Sequence, residues 1–599
     1  MTIAAVEEET VKRSVVHGLP RVAVVAAACA VLGAGLWLCD RGLDRVDESY
    51  VLAGVADPDA SRAAGEVTLS SFVLHPLFAF VDGDIARYRL IGVLLVTVLS
   101  AVTMDRLTRC IDALTGIKAE GWARHLPWVG AAATSLTAFT FGLRSLSYNS
   151  LTLVGLLVSA VGFSFVLKRQ EIAGGVTAAL GWWTVFLGKP TSAAALAIVG
   201  TLALFLVRRV TPRAMVAAVS ALVVAVTVTL LAVRMTLPEV VTFLAGGMRQ
   251  DQLLGGHASV LQLVGLAPSP LTALLLLGLP LVIAGAVAVE IARRPGRSGL
   301  LSGLTLVGLA CMGVIVAIVP SVTDRGLGLQ ILPFVLTLVV FGAWLLGREA
   351  YRRRRDDAPE RRVPREPLVL TAFLALMPYV ASVGTNSPFT EAMPHYAVFW
   401  LMATLVGLRA LGGPEVVRVI AIGLALGVTS VMLVTALLDG GSTSSLLAAH
   451  VRVPVAGGAL VLPADEARVA TYINGMASRE GLTPDTPVVD LTGISPGYAF
   501  QLGGRPLGRE SFMGVFPGAP DAAAYALSRA PCANRARAWV LWASDNPWGV
   551  DGKVDLGRRI PHDYDVVGQF SPVQGPAGWR QLVVNVLRPR AGGSTSCPN

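Results

Sequence analysis

Apolar residues are gathered in blocks along this chain, and charged residues, prolines or glycines separate the blocks. Most blocks are about 16 to 22 residues long, the length of α-helix that crosses a hydrocarbon layer of about 30 Å. The pattern predicts thirteen membrane-spanning helices, at about 21–38, 88–104, 127–142, 151–167, 172–187, 193–207, 214–235, 271–291, 300–319, 330–347, 367–383, 397–411 and 417–437.

The composition supports the same assignment. Hydrophobic side chains make up 54% of the 599 residues, and the mean hydropathy is +0.63. Such a chain is too apolar for a set of water-exposed domains. Backbone polar groups in lipid must bond within their own segment, so helices are expected. We therefore predict a polytopic α-helical membrane protein with about 13 transmembrane helices.

The distribution of charge predicts the orientation. The net charge is +9, and the arginines cluster at block ends and in the segment 348–365. If residues 1–20 are cytoplasmic, alternation of the helices places every basic cluster on the cytoplasmic side, as the positive-inside rule requires. This predicts a multi-pass protein of the cytoplasmic membrane with a transmembrane domain over 21–437. The run Arg352–Arg355 has no interleaved aromatic residues, which argues against nucleic-acid binding.

An odd number of spans places residues 438–599 outside the cell. Strand-like runs at 487–491, 538–542 and 581–587 alternate there with helix-like runs at about 464–480 and 520–529. This pattern predicts an extracytoplasmic α/β domain. Cys532 and Cys597 are the only cysteines of the segment, and the oxidising surroundings allow a disulfide between them.

The first outer loop, residues 39–87, begins with an unusual crowding of acids. Four carboxylates lie within nine residues, at Asp40, Asp44, Asp47 and Glu48. If the stretch is helical, these acids share one face, and their repulsion raises at least one pKa unless a cation or substrate lies among them. Such a carboxylate can take a proton from a hydroxyl nucleophile. The alternative is a solvated turn in which Arg41 and Arg45 neutralise the acids.

The order of these features resembles a known family. A span followed directly by an outer acidic loop containing Asp-Glu-x-Tyr, here residues 47–50, is similar to the GT-C superfamily of membrane glycosyltransferases. That group includes the protein O-mannosyltransferases, the aminoarabinose transferases that modify lipid A, and the arabinofuranosyltransferases of actinobacterial cell walls. The resemblance covers the topology of the N-terminal two thirds, and the outer terminal domain also has counterparts in the family.

The resemblance implies a chemistry and its site. Asp47 would be the catalytic base, with Glu48 as its neighbour, and the donor would be a sugar carried on a polyprenyl phosphate. Some members hold a divalent metal with a second acid in a later outer loop. Glu239 and Asp251 are candidates here, but they match no family pattern. No cofactor is therefore certain, and a divalent metal remains open.

Isolated cations on the outer side are candidates for binding the donor phosphate. Lys189 lies among apolar residues at the outer end of a block, beside Gly188 and Pro190; snorkelling of the lysine to the membrane boundary is the alternative. Arginine offers a fork suited to phosphate oxygens, and Arg144 and Arg325 lie beside predicted spans. A local ion pair with Asp324 is the alternative for Arg325. The predicted substrate-binding residues are Asp44, Tyr50, Tyr148, Asn149 and His395.

These residues predict transfer of a sugar from a polyprenyl-phosphate donor to a hydroxyl of a cell-wall glycan, lipid or protein acceptor. The partners are thus the lipid-linked donor, the acceptor and membrane lipid. A transporter or flippase of a lipid-linked saccharide is the alternative; it would carry ionisable groups near mid-membrane, where these blocks are nearly free of charge. A scaffold with a binding domain is a third possibility, which leaves the first-loop acids unexplained.

Overall fold

The computed structural model describes residues 21–116, 124–140, 143–255, 364–385, 392–411, 415–438, 445–494, 496–574 and 577–591. The structure is mostly helical, at 67%, and a sheet region lies near the C-terminus. The predicted blocks 271–291, 300–319 and 330–347 lie outside the described residues, as do Arg325 and Cys597.

Ten helices occupy the first described part of the chain. They are α1 (Arg21–Asp40), α2 (Asp47–Ala56), α3 (Ser70–Phe80), α4 (Ile85–Thr115), α5 (Leu126–Thr134), α6 (Tyr148–Leu167), α7 (Glu171–Gly188), α8 (Pro190–Val207), α9 (Pro212–Val233) and α10 (Leu237–Leu254). Three more helices follow the undescribed segment: α11 (Arg365–Ser382), α12 (Ala397–Ala410) and α13 (Glu415–Leu438).

Six helices of the described part are long and apolar enough to cross a membrane. They are α1, α4, α6, α8 and α9, together with Val417–Leu438 within α13. Their surfaces support that role, because only 11% of the most apolar window of α9 is buried inside the protein. A helix that is apolar and largely uncovered needs an apolar surrounding.

The predicted span 127–142 is not a single helix in the structure. The α-helix α5 ends at Thr134, and a 3-10 turn over Ser135–Phe139 replaces its continuation. Hydroxyls in this stretch donate to carbonyls three residues earlier, from Thr137 to Thr134 at 3.0 Å and from Thr140 to Thr137 at 2.8 Å. Such local bonds compete with the regular helical pattern, which explains why an apolar run alone overestimates this helix.

Close packing of α6 against α7 fixes the level at which their ends lie. The Cβ of a residue replacing Gly155 would lie 2.6 Å from the carbonyl oxygen of Gly181. One replacing Gly162 would lie 2.6 Å from the backbone nitrogen of Ala178. Glycines therefore let the two backbones approach closely, as small residues do in membrane helix pairs. The start of α6 and the end of α7 are held together as a result.

The terminal domain contains a hairpin and a mixed sheet. Its elements are β1 (Val451–Val455), β2 (Gly458–Leu462), α14 (Ala464–Arg479), β3 (Pro487–Asp490), α15 (Pro496–Leu502), β4 (Arg505–Pro506), α16 (Ala519–Ser528), α17 (Cys532–Ala536), β5 (Trp539–Trp542), β6 (Tyr564–Phe570), α18 (Ala577–Arg580) and β7 (Val584–Pro589). The sheet order is β4-β3-β5-β7-β6, with β3 parallel to β4 and β5 and with β7 antiparallel to β5 and β6.

The sheet is covered on both faces. Alternate residues such as Val488 and Leu541 pack with α14, while Val489 and Val540 pack with α16. The predicted α/β organisation and all five predicted elements of this domain are confirmed. The hairpin of β1 and β2 and the strands β4 and β6 were not predicted from the sequence. Cys532 is disulfide-bonded, but the pairing with Cys597 stays a prediction.

Candidate functional site

The chain between α1 and α2 is extended, so the acids of the first loop do not share one helical face. Arg41 forms an isolated bridge with Val461 of β2, and the Gly42 N–H donates to the Val461 carbonyl at 2.9 Å. Gly42 has a φ of +61°, a conformation that glycine adopts without strain. The helical reading of residues 40–48 is therefore wrong. Contact with the terminal domain holds this stretch in a β-bridge, which residue spacing alone cannot predict.

Asp44 caps the helix that carries the predicted catalytic acids. Its Oδ1 accepts hydrogen bonds from the backbone N–H groups of Val46, Asp47 and Glu48, at 2.9, 2.7 and 3.3 Å. These groups would otherwise lack partners at the start of α2. Burial, followed by the charges of Asp47 and Glu48, raises the pKa of Asp44 to about 6. The carboxyl predicted to bind substrate is therefore engaged by the backbone.

Glu48 lies in a fully buried ion pair with Arg89 of α4. Arg89 donates from Nε to Oε1 at 2.8 Å and from Nη2 to Oε2 at 2.6 Å, and Ser145 donates to Oε1 at 2.7 Å. Burial opposes ionisation, but the charge and hydrogen bonds of Arg89 lower the pKa of Glu48 below its ordinary value. Glu48 therefore anchors the first loop on α4 as a carboxylate.

Arg89 also ties together the loop that precedes α2. Its guanidinium donates to the carbonyls of Cys39, Arg41 and Gly42 at 3.1, 3.1 and 2.9 Å. Arg89 was not predicted as a site residue. A signal was present, because Arg89 lies inside the predicted apolar block 88–104, where a buried cation needs an acidic partner.

Asp47 differs from Asp44 and Glu48 because its side chain is exposed to solvent. Its side chain is exposed, and within the described part of the chain no hydrogen bond or ion pair to its carboxylate is formed. The protein packed around the site raises the pKa of Asp47 above its ordinary value by desolvation. A carboxylate without a partner and with a raised pKa is suited to accept a proton.

Lys189 lies in the turn between α7 and α8, with 5% of its surface exposed. Its Nζ is 5.4 Å from the ring centroid of Tyr148 and 5.9 Å from that of Tyr396. Nζ donates to the carbonyl of Ala381 at 3.3 Å, the only hydrogen bond of the ammonium in the described residues. Because an ammonium has three donors, two are left for a ligand. Burial lowers the pKa of Lys189 to about 7.

Tyr148 is a neighbour of the cation and lies within range of the charge of the acid. The charge of Asp47 acts on the Tyr148 hydroxyl, and the ammonium of Lys189 lies against the Tyr148 ring. Tyr396 donates its hydroxyl hydrogen to Oδ1 of Asn149 at 3.3 Å. We call this group the Tyr148 cluster; it comprises Asp47, Tyr148, Asn149, Lys189, His395 and Tyr396.

His395 belongs to the cluster as a neutral group. Its Nδ1 lies 3.1 Å from the Thr137 carbonyl, and the charge of Lys189 acts on the ring. Burial lowers the pKa of His395 to about 4, which keeps the imidazole uncharged at neutral pH. Five sequence-predicted residues thus come together, and Tyr396 is an additional member that the sequence analysis did not single out as a site residue.

Arg144 is buried in a different place. Its Nη1 donates to the Arg41 carbonyl at 2.7 Å. Among carboxylates, Glu48 and Asp44 have the strongest electrostatic effect on Arg144. Lys189, by contrast, donates to the Ala381 carbonyl. The structure therefore groups Arg144 with the loop anchor at Glu48.

Tyr50, on the same helix as Asp47, contacts the terminal domain. Arg509 donates from Nη2 to the Tyr50 hydroxyl at 3.2 Å and from Nη1 to Oε1 of Gln250 at 3.1 Å. Next to them lie two buried carboxyl groups, Glu66 and Glu510, with 5% and 4% exposed. Burial, followed by the charge of Glu66, raises the pKa of Glu510 well above its ordinary value. Tyr50 therefore joins α2 to α10 and the terminal domain.

A second connection holds the chain just before α2. Arg45 is fully buried and donates from Nη1 to the Gly497 carbonyl at 3.1 Å and to Oε1 of Gln501 at 3.2 Å. Gln574 accepts from the Arg45 N–H at 2.8 Å and donates to the Leu43 carbonyl at 2.6 Å. From the sequence, Arg45 was predicted only as a counter-ion and Gln574 was not predicted at all, because partners more than 500 residues away leave no local pattern.

The structure offers no built metal site among its described residues, where no three His, Cys, Asp or Glu side chains lie together in a suitable group. Glu239 instead accepts two hydrogen bonds from Thr236. No protein-family model matches this chain, and neither does any curated protein. Function is therefore argued from the Tyr148 cluster itself.

Proposed function

We propose that this protein is a membrane glycosyltransferase that moves a sugar from a polyprenyl-phosphate donor to an acceptor hydroxyl at the outer face of the cytoplasmic membrane. The observations that carry the proposal are a buried ammonium at Lys189, packed against the Tyr148 ring, and an exposed carboxylate at Asp47, whose charge reaches the Tyr148 hydroxyl. A carboxylate and a buried ammonium are the two groups that this transfer needs.

The depth of the cluster suits a lipid-linked phosphate. Tyr148 is the first residue of α6, and Lys189 directly precedes α8, two helices that are long and apolar enough to cross a membrane. Both residues therefore lie at helix ends, where a lipid phosphate meets the apolar layer. The terminal domain contacts the first loop through Arg45, Tyr50 and Gly42. These contacts support one orientation for both regions, and we assign them to the extracytoplasmic side.

The reaction follows from the two groups. The acceptor hydroxyl gives its proton to the Asp47 carboxylate while its oxygen forms a bond to the anomeric carbon of the donor sugar. The bond from that carbon to the phosphate oxygen breaks, and the phosphate leaves with the electron pair. Lys189 stabilises the charge on the departing phosphate, and in a dry site such stabilisation is strong. The Tyr148 ring packs against Lys189 and lines this part of the proposed site.

The other predicted site residues act through position in this proposal. Glu48 and Asp44 hold the start of α2, where the Asp47 side chain is exposed. Arg144 supports the same loop through the Arg41 carbonyl. Tyr50 and Arg509 connect α2 to the terminal domain. Glu48 was predicted from the sequence as a catalytic residue, and in this proposal it has an anchoring role instead.

The test is donor cleavage by the purified protein in lipid bilayers. With a labelled polyprenyl-phosphate sugar, the wild type should release polyprenyl phosphate and transfer the label, and Asp47→Asn should abolish release. Asp40→Asn is the matched control, because its side chain is 45% exposed and lies outside the cluster. Unchanged turnover in Asp47→Asn refutes the role of Asp47. Movement of intact donor across the bilayer without cleavage favours a transporter instead.

Orientation has its own test. A cysteine introduced at the exposed position His562 should react with a membrane-impermeant maleimide added to intact cells. Labelling that occurs only after lysis would place the terminal domain in the cytoplasm and would reverse the proposed topology.

A further inference from the structure

A cleft of about 420 Å³ lies at the junction of the first loop, α10 and the terminal domain. Its walls are formed by Arg62 to Ala64, by the first half of α10, and by Tyr525 and Arg529 at the end of α16. The volume falls in the range of about 300–1,000 Å³ that is typical of small-ligand sites. No residue of the Tyr148 cluster lines it, so this cleft is a separate feature of the molecule.

Two charged groups of opposite sign are fixed in the cleft wall. Arg62 donates from Nε to Oδ1 of Asp59 at 2.7 Å and from Nη2 to the Val233 carbonyl at 3.1 Å. Glu239 accepts from the Thr236 N–H at 2.6 Å, and its hydrogen bonds to Thr236 lower the pKa of Glu239. The cleft wall therefore contains a hydrogen-bond donor, Arg62, and a hydrogen-bond acceptor, Glu239, and hydrogen bonds to neighbouring groups fix both side chains in place.

The terminal domain contributes an aromatic ring and a cation to the cleft lining. The guanidinium carbon of Arg529 lies 5.2 Å from the ring centroid of Tyr525. Arg529 is exposed, and among the described residues it forms no ion pair. Phe243 adds a second ring to the lining, while Ala63, Ala64 and Gly246 keep the space open.

We propose that this cleft binds a neutral saccharide, as the part of the acceptor that lies beyond the reacting hydroxyl. Sugars present donors and acceptors together with apolar C–H faces, which match Glu239, the two arginines and the Tyr525 ring. A phosphate would face the Glu239 carboxylate, and an acyl chain would leave three charges desolvated. The proposal rests on the proposed transfer of a sugar.

The cleft connects to the Tyr148 cluster through packed side chains. Phe243 and Met235 of the cleft lining belong to one hydrophobic group with Leu187, which is two residues before Lys189. One turn beyond Gly246 on the same face of α10, Gln250 accepts a hydrogen bond from Arg509, which also donates to Tyr50 of the helix that starts at Asp47. An acceptor held in the cleft is thus attached to the same framework as the catalytic acid.

The experiment measures binding of short neutral oligosaccharides, built from hexoses or pentoses, to the full-length protein in nanodiscs. Saturation-transfer NMR should detect binding to the wild type, and Tyr525→Ala and Arg529→Ala should each weaken it about tenfold. Arg537→Ala is the matched control, because this exposed arginine of the same domain binds Asn534 and lies outside the cleft. Equal binding by the wild type and both cleft variants overturns the proposal, as does binding of glycerol phosphate but of no neutral saccharide.

A second readout separates this inference from the proposed reaction. Release of polyprenyl phosphate from the donor with water as acceptor depends on Asp47 and Lys189 only, so Tyr525→Ala should keep that rate while losing transfer to saccharide. If donor release requires Asp47 but the cleft variants bind saccharide normally, the cleft assignment fails alone. If saccharide binds in the cleft but no donor is cleaved, the proposed reaction fails and the cleft remains a saccharide site.

Discussion

The buried pair of Glu48 and Arg89 offers the sharpest test of how the first loop is held. We consider Glu48→Gln, which keeps the shape of the side chain and removes its charge. In the wild type the two side chains are 0% and 1% exposed and form two hydrogen bonds, of 2.8 and 2.6 Å. The variant leaves the Arg89 guanidinium buried without a counter-charge, facing three backbone carbonyls.

The expected cost follows from this arrangement. Removing one member of a buried ion pair destabilises a protein by about 3–5 kcal/mol, because the remaining charge is uncompensated. The three carbonyls and the retained amide place this variant near the lower value, at about 3 kcal/mol. Since about 1.4 kcal/mol corresponds to a factor of ten, local opening of the loop should become about 10²-fold more frequent.

Cys39 reports that opening. It is buried, and its carbonyl accepts a hydrogen bond from Arg89. Maleimide labelling of the purified protein, quantified on the Cys39 peptide by mass spectrometry, should be about 10²-fold faster in Glu48→Gln when opening is in rapid equilibrium. Asp565→Asn is the control, because its pair with Arg590 has side chains 49% and 55% exposed and such pairs contribute about 0–1 kcal/mol. Labelling of Glu48→Gln at the wild-type rate would refute the anchoring role.

Three further predictions concern activity and stability. First, kcat/KM for the donor should rise with pH as Asp47 ionises and fall above about pH 7 as empty Lys189 loses its proton; Lys189→Arg should remove the alkaline fall, and a decline that persists in that variant would exclude Lys189 as its cause. Second, Gly188→Ala should lower donor cleavage by about 10²-fold, because its Cβ would lie 2.6 Å from the Tyr148 carbonyl and displace the cluster, whereas Gly200→Ala, with nothing within 4 Å, should be silent; equal rates in the two variants would contradict this. Third, the raised folded pKa of Glu510 means that stability is full below the ordinary Glu pKa and is lost as pH rises through the folded value, so thermal unfolding should occur at lower temperature at pH 8 than at pH 5. The titratable and charged groups next to Glu510 are Glu66, Arg509 and Tyr50. Glu510→Gln should reduce the dependence of the unfolding temperature on pH. An unchanged dependence in this variant would show that another group is responsible.

Local sequence patterns were sufficient to predict most helices and to identify the acids and cations that could form the site. Apolar blocks of about 20 residues require helices because unpaired backbone groups are costly in an apolar surrounding. The start of α6 at Tyr148 and the turn at Lys189 follow from capping groups, proline and glycine close by in the chain. Lys189 stood out for a similar reason, since an isolated lysine among apolar residues is visible without a structure.

The roles within the acidic loop were decided by tertiary contacts. Spacing alone could not rank Asp44, Asp47 and Glu48, because each is an acid near the same membrane boundary. Arg89, which is 41 residues from Glu48, selects Glu48 as an anchor, and the backbone of α2 engages Asp44. Asp47 is left with a side chain that is exposed to solvent.

The sequence by itself determined where apolar helices form, that the last segment is an α/β domain, and which acids and cations are available. Only the tertiary structure decided that Lys189 packs against Tyr148 and Tyr396, and that Arg45, Arg509 and Gln574 hold the first loop to the terminal domain. The physical reason is range. Hydrophobic period and capping act over a few residues, whereas a buried charge or amide is satisfied by any partner that the fold brings near, at any distance along the chain.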